Sequence, residues 1–373
     1  MADIFDYLKW RGDLTFVQDP PNGVDALIFS GLAYIEYGGQ VKLLPQIPVR
    51  LKDAAEEFFA QPDHENRSRV QKDQDLLAAA AQTRRFGNCS ICMYRNQLIP
   101  EQETQFAAMN FLLDDGSMFL AFRGTDNSLV GWKEDFNMTF QQTIPAQRMA
   151  LQFVREAALE YLRPIHLGGH SKGGNLAVFA AARSSPMIQK QIIQVFNNDG
   201  PGFTKYLMGD PGYLAMVPKI QTYIPQSSVI GMLLEHEEPY TVIRSKSVGL
   251  LQHDLYTWDV LGKEFLTVEE ITEGSQFTDA TIKEWFASMT SQERNQLVDV
   301  MFSLLGSGGA DSVQELLHPR NIRTYIKTLS SDENLRRVLS TEFRGLLEAA
   351  WKTKAKFDES REAELLLEGE IEP

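Results

Sequence analysis

Cysteine is nearly missing from this chain: 373 residues carry only two, Cys89 and Cys92. A disulfide framework is thereby excluded, and a lone Cys-x-x-Cys is half of a four-thiolate zinc site. With no HExxH pair either, no metal centre is expected, and no cofactor. Both thiols are expected to be buried as small hydrophobes. Basic charge is also short. Against 50 Asp and Glu stand 36 Lys and Arg, a formal charge of -14, which excludes a broad basic surface for a nucleic-acid backbone. The same field disfavours anionic membranes, leaving a local apolar patch as the route to peripheral lipid contact. Long apolar runs are missing as well, since no window of about twenty residues is free of charge, and a membrane-spanning helix is not expected. The opening MADIFDYLKWRGDLTF lacks the basic start and unbroken apolar stretch of a secretory signal. Few cysteines and no export signal predict a cytoplasmic location. No repeat of fixed period is visible.

What is present is the mix of a folded protein, 43% hydrophobic and 23% charged, long enough for a large α/β domain with an extension. Residues 105 to 122 read as two apolar runs around Asp114-Asp115-Gly116, a hairpin whose second run, Met118 to Phe122, suits a strand buried on both faces. Between Ala146 and Leu162, Met149, Phe153, Ala157 and Tyr161 recur every four residues and mark a helix. A strand over Ile165 to Leu167, the turn GGHSKGG, a helix over Asn175 to Arg183 and a strand over Ile192 to Phe196 follow. A further strand is expected over roughly Tyr240 to Arg244. Such alternation predicts a mainly parallel central sheet with helices on both faces. After about Gly262 strands are expected to vanish, and Thr290 to Glu293 and Ser330 to Glu333 read as capping boxes ahead of helices. The expected organisation is an α/β domain over 1-262, a helical extension over 263-357 and a flexible acidic tail over 358-373.

The chemistry centres on Gly169-His170-Ser171-Lys172-Gly173, a GxSxG between a strand and a helix. A serine held at that corner projects its hydroxyl from a tight turn, the arrangement called a nucleophile elbow. Such a hydroxyl needs a histidine base oriented by a carboxylate. Of six histidines, His64, His166, His170, His236 and His318 sit in unsuitable surroundings. His253 follows the serine in a loop after the last strand and is the expected base. The carboxylate stays open between Asp199, at a strand end in NNDGPG, Asp254 beside the histidine, and Asp259, with orientation by a backbone carbonyl as the remaining choice. Phe122-Arg123-Gly124-Thr125 leaves the buried strand as a loop. The backbone N-H of Thr125, with its hydroxyl assisting, and that of Lys172 are the expected oxyanion donors, without need of the lysine side chain.

FRGTDNSLVGWKEDF followed by GHSKGGNLA resembles the fungal-type (class 3) lipases of the α/β-hydrolase superfamily, over roughly Ala107 to Val260. DYLKWRGDLTF, VDALIFSGLAYIEY, DGPGF and QHDLYTW are similar to a bacterial lipase-like family of unestablished function. The resemblance implies an α/β-hydrolase fold with Ser171 as nucleophile, His253 as base, Thr125 and Lys172 as oxyanion donors, and Leu129 to Asn137 as a lid around Trp132. One departure stands out. Where class 3 lipases carry their acid, this chain reads Tyr223-Ile224-Pro225-Gln226-Ser227-Ser228, and Asp199 is the replacement that pancreatic-type lipases suggest.

The function expected from these residues is cleavage of a small-molecule or lipid ester through an acyl-enzyme on Ser171. A catalytically weak hydrolase scaffold that binds a partner is the alternative, motivated by the missing acid.

Overall fold

The computed structural model describes residues 1-38, 47-126, 128-309 and 318-369. Among them, eight strands form one sheet in chain order: β1 Val49–Arg50, β2 Ser90–Ile99, β3 Thr104–Leu112, β4 Met118–Phe122, β5 Ile165–His170, β6 Ile192–Asn198, β7 Ile220–Pro225 and β8 Tyr240–Ile243. The pairings from β1 to β4 are antiparallel and those from β4 to β8 parallel.

The five apolar residues of β4 show why the sheet is covered twice. Side chains alternate across a strand, so Met118, Leu120 and Phe122 enter one core while Phe119 and Ala121 enter another. The first core holds helices Pro145–Tyr161 and Lys172–Arg183, the crossovers that return the chain between parallel strands. The second core belongs to the N-terminal segment, whose helix Gly23–Leu32 is buried along its whole length. From it Phe29 meets Phe119 at 4.6 Å and Phe111 at 4.7 Å between ring centroids. Burying one such ring contributes about 2 kcal/mol. The layer is fastened by Arg85, whose Nε and Nη2 donate to the two oxygens of buried Asp25 at 2.7 and 2.5 Å.

This is an α/β-hydrolase fold, a mainly parallel sheet with helices on both faces, followed by C-terminal helices. Strands β5 and β6 run further than the apolar runs suggest, to His170 and Asn198, because the sheet continues to pair them at glycine and polar positions. Strands also persist past Gly262: β9 Val260–Leu261 and β10 Glu264–Phe265 form a small hairpin. The expected limit at 262 falls inside that hairpin, and the compact units are Met1–Glu270 and Ile271–Pro373.

The C-terminal unit contains helices Glu273–Ala287, Ser291–Gly306, Pro319–Ser331 and Glu333–Gly369. Thr290 and Glu293 form the capping box that their spacing predicts. Ser330 does not cap. It lies in the last turn of the preceding helix, which ends at Ser331, and Asp332 Oδ1 accepts the Leu335 N-H at 2.9 Å instead. The last helix continues through 358, where a flexible acidic tail was expected, to Gly369; positions 370-373 lie outside the described residues. Within this unit Phe277 meets Phe357 edge-on at 5.8 Å, and Glu284 accepts from Lys356 at 3.0 Å.

Candidate active site

Ser171 stands between β5 and the helix Lys172–Arg183 with φ 59° and ψ -133°, a conformation that costs a non-glycine residue about 1 to 3 kcal/mol. The surroundings hold it there. Its N-H donates to the Asn198 carbonyl at 3.0 Å, and its own carbonyl accepts from Gly174 at 2.9 Å. The flanking glycines are required by closeness: a β-carbon on Gly169 would collide with the Gly173 backbone, and one on Gly173 with the Phe122 carbonyl.

Asp199 follows the end of β6 and is fully buried, also at positive φ, 53°. Its Oδ2 lies 2.7 Å from His253 Nδ1, and its Oδ1 accepts from Ser228 Oγ at 2.5 Å. Of the carboxylates left open by the sequence, Asp199 is thus the one on the histidine. Asp254 instead accepts the Tyr256 N-H at 3.3 Å, and Asp259 faces Arg244 Nε at 3.5 Å. Ser228 belongs to the stretch Tyr223 to Ser228, in which the sequence shows no carboxylate, and that stretch contributes a hydroxyl to Asp199. No sequence signal singles it out.

His253 is carried by a short 3-10 turn, Gly249–His253. Gln252 anchors that turn, accepting from Ser227 N at 2.7 Å and donating to the Ser247 carbonyl at 2.6 Å, while Trp258 Nε1 donates to the Gln252 carbonyl at 2.9 Å. The His253 ring lies 4.6 Å from that of His170, the residue before Ser171. His170 Nε2 is 2.7 Å from the His253 carbonyl and its Nδ1 is 3.0 Å from Tyr34 Oη. A carbonyl can only accept, so His170 is the neutral Nε2-H tautomer and accepts the Tyr34 hydroxyl proton at Nδ1. Burial holds the pKa of His170 well below the ordinary histidine value, the neighbouring His253 acting in the same direction. Sequence reasoning left His170 and Tyr34 out of the site, because the contact joins residues 136 apart.

The loop that follows β4 is pinned from behind. Arg123 is buried and its Nη2 donates to Asn96 at 3.0 Å and to Asp126 at 3.2 Å. Gly124 packs against Tyr34, His170 and Ser171 so tightly that a β-carbon has no room. The Thr125 hydroxyl donates to Asp135 Oδ2, so it is committed to that carboxylate and does not assist an oxyanion; the backbone N-H is what the residue has to offer. Burial pushes the Asp135 carboxyl up to about 6, against the opposing pull of the Lys172 ammonium.

Lys172 presents two different groups. Its backbone N-H is the first of the helix Lys172–Arg183, where amide donors lack helical acceptors. Its side chain is buried and reaches Glu134 Oε2 at 3.0 Å and Gln105 Oε1 at 2.8 Å. Glu134 is itself fully buried and also accepts from Gln105 N and Ala146 N, each at 3.0 Å. It lies on the helix Leu129–Asn137, the expected lid, which is therefore anchored by a buried ion pair although Trp132 remains 43% exposed.

The other titratable residues serve elsewhere. His64 meets Gln74, His236 meets Glu238 and the Gly231 carbonyl, and His318 caps a helix. Cys89 and Cys92 are buried thiols, and burial raises both pKa values, that of Cys92 to about 11.

Two solved structures are similar to this chain at low identity. A mutant form of MDLA from Penicillium cyclopium is 13% identical, with 68% of this chain and 87% of that chain covered at a TM-score of 0.40. A structure described as fungal lipases is 11% identical, with 67% and 87% covered at a TM-score of 0.39. No curated protein matches the sequence. Residues 80-303 match the model of the family described as Mbeg1-like, and the chain belongs to that lipase-like family.

Proposed function

We propose that this protein is a serine hydrolase that cleaves a carboxylic ester, of a small molecule or a lipid, through an acyl-enzyme on Ser171. The observation that carries the proposal is the Asp199–His253 contact of 2.7 Å, on a histidine whose ring lies 4.6 Å from that of His170, the chain neighbour of a serine held at positive φ. Ser171 Oγ attacks the acyl carbonyl carbon and its proton passes to His253 Nε2, the nitrogen left when Asp199 engages Nδ1. Asp199 stabilises the imidazolium that forms. The negative charge on the carbonyl oxygen is met by the backbone N-H groups of Thr125 and Lys172. When the tetrahedral species collapses, the ester C-O bond breaks and His253 returns its proton to the leaving alkoxide. A water molecule then attacks the acyl-enzyme, giving its proton to His253, and the second collapse releases the acid and restores Ser171.

The carboxylate of Asp199 on His253 supports the hydrolase reading over the binding-scaffold alternative. The test is covalent labelling by a fluorophosphonate, read by intact mass, with Ser171→Ala and His253→Ala alongside. Labelling of the wild type that disappears in both variants is expected. A folded wild type that resists labelling would overturn the assignment.

A further inference from the structure

The charge of this acidic chain is unevenly distributed. From position 319 to 357, nine basic residues face four acidic ones, a net of +5 within a total of -14, and acids dominate again only after 357. This stretch forms the helix Pro319–Ser331 and most of the helix Glu333–Gly369. On the longer helix Arg336, Phe343, Leu347, Trp351 and Lys354 recur at spacings of seven, four, four and three, and so share one face with Arg344 at its margin. Phe343, Leu347 and Trp351 are 61%, 46% and 71% exposed, while Leu335, Val338 and Ala349 on another side are buried. Of the acids nearby, Glu342 falls on the far side and Glu348 beyond Arg344, while Glu333 and Asp358 bound the face at its two ends. The shorter helix repeats the combination: Ile322 and Ile326, 40% and 60% exposed, are each followed by a basic residue, Arg323 and Lys327.

Large apolar side chains in a row, interleaved with arginine and lysine, are the composition of a helix that lies in a lipid headgroup layer. The aromatic and aliphatic groups leave water there, and the cations meet lipid phosphates. The excess of acid elsewhere in the chain does not forbid the approach. Charges more than about 8 Å apart are largely screened at physiological ionic strength, so the local sign governs contact.

We infer that this face docks on an anionic lipid bilayer, with Phe343, Leu347 and Trp351 entering the headgroup layer and Arg336, Arg344 and Lys354 pairing with lipid phosphates. Docking of this kind does not require an active Ser171, and it gives the protein a non-catalytic lipid contact.

The experiment sediments the protein with vesicles of phosphatidylcholine alone or mixed with phosphatidylserine, at low and high salt. Binding is expected to the mixed vesicles and to weaken with salt. Phe343→Ser with Trp351→Ser is expected to lower the partition coefficient about tenfold, and Arg336→Glu with Arg344→Glu about a hundredfold. Trp351→Phe is expected to keep binding while removing part of the tryptophan quenching by brominated lipid, which separates insertion from misfolding. No binding to either vesicle, or equal binding by wild type and both double variants, overturns the inference. So does a concentration-dependent dimer, dissociated by Phe343→Ser with Trp351→Ser and blind to vesicles, which would assign the face to a second copy of this chain.

Discussion

Asp199 and His253, 54 residues apart in the chain, meet at 2.7 Å through Oδ2 and Nδ1. The carboxylate is fully buried and the imidazole is one-quarter exposed, so the pair has a protected side and a side open to solvent. Replacing Asp199 with asparagine keeps the shape and removes the charge that stabilises the imidazolium. Asp199→Asn is expected to slow fluorophosphonate labelling and ester hydrolysis by about four orders of magnitude. Asp254→Asn, which does not touch the histidine, is expected to leave both rates within a factor of a few. Equal rates for the wild type and Asp199→Asn would reduce Asp199 to a turn residue.

Tyr34 reaches the same histidine indirectly, through His170. Without the hydroxyl, His170 Nδ1 becomes a buried acceptor with no donor, at a cost of about 1 to 3 kcal/mol. Its tautomer is then free to change, which loosens its hold on the His253 carbonyl. Tyr34→Phe is expected to lower the urea midpoint and to slow labelling of Ser171 about tenfold. A lower midpoint with an unchanged labelling rate would confine the Tyr34 hydroxyl to folding.

The Glu134 carboxylate accepts three hydrogen bonds, one of them from the buried Lys172 ammonium. Glutamine leaves that cation with less compensation and turns an amide donor towards other donors. Glu134→Gln is expected to destabilise the protein by about 3 kcal/mol, read by thermal or urea unfolding. A change below about 0.5 kcal/mol would show that Gln105 and Asp135 suffice to hold Lys172.

Acid sensitivity has a source away from the site. Burial lowers the pKa of His166 to about 4. On acidification the unfolded chain takes up this proton first, below about 6.5, while the folded chain resists until about 4. The stability that neutral His166 contributes is therefore complete above about pH 6.5 and lost as the pH falls towards 4, by up to about 3 kcal/mol. His166→Phe is expected to flatten that part of the stability curve in urea titrations at a series of pH values. A curve parallel to that of the wild type would assign the loss to other groups, among them His170, which burial depresses in the same direction.

Local patterns were legible to the extent that they are local. The alternation around β4, the strand, elbow and helix about Ser171 and the Thr290 cap all depend on neighbours a few residues away, where spacing and steric demand act directly. The expected limit at 262 and the cap at Ser330 missed because an element end depends on which partner its backbone finds. The exposed basic face of the C-terminal helices was hidden in a total charge of -14, since a sum over the chain erases where charges sit.

The sequence by itself determined a doubly covered, mainly parallel sheet and a serine at a glycine-flanked corner, because burial on both sides of a strand and the room at a tight turn restrict residue type position by position. Only the tertiary structure decided which carboxylate meets His253, that Ser228 supports it, that Tyr34 fixes His170 from the N-terminal layer, and that Lys172 ties the Trp132 helix to the helix after Ser171. These are hydrogen bonds a few ångströms long between residues 29 to 136 positions apart. Their partners are chosen by how the sheet brings loops together at its edge, and no spacing in the chain encodes that choice.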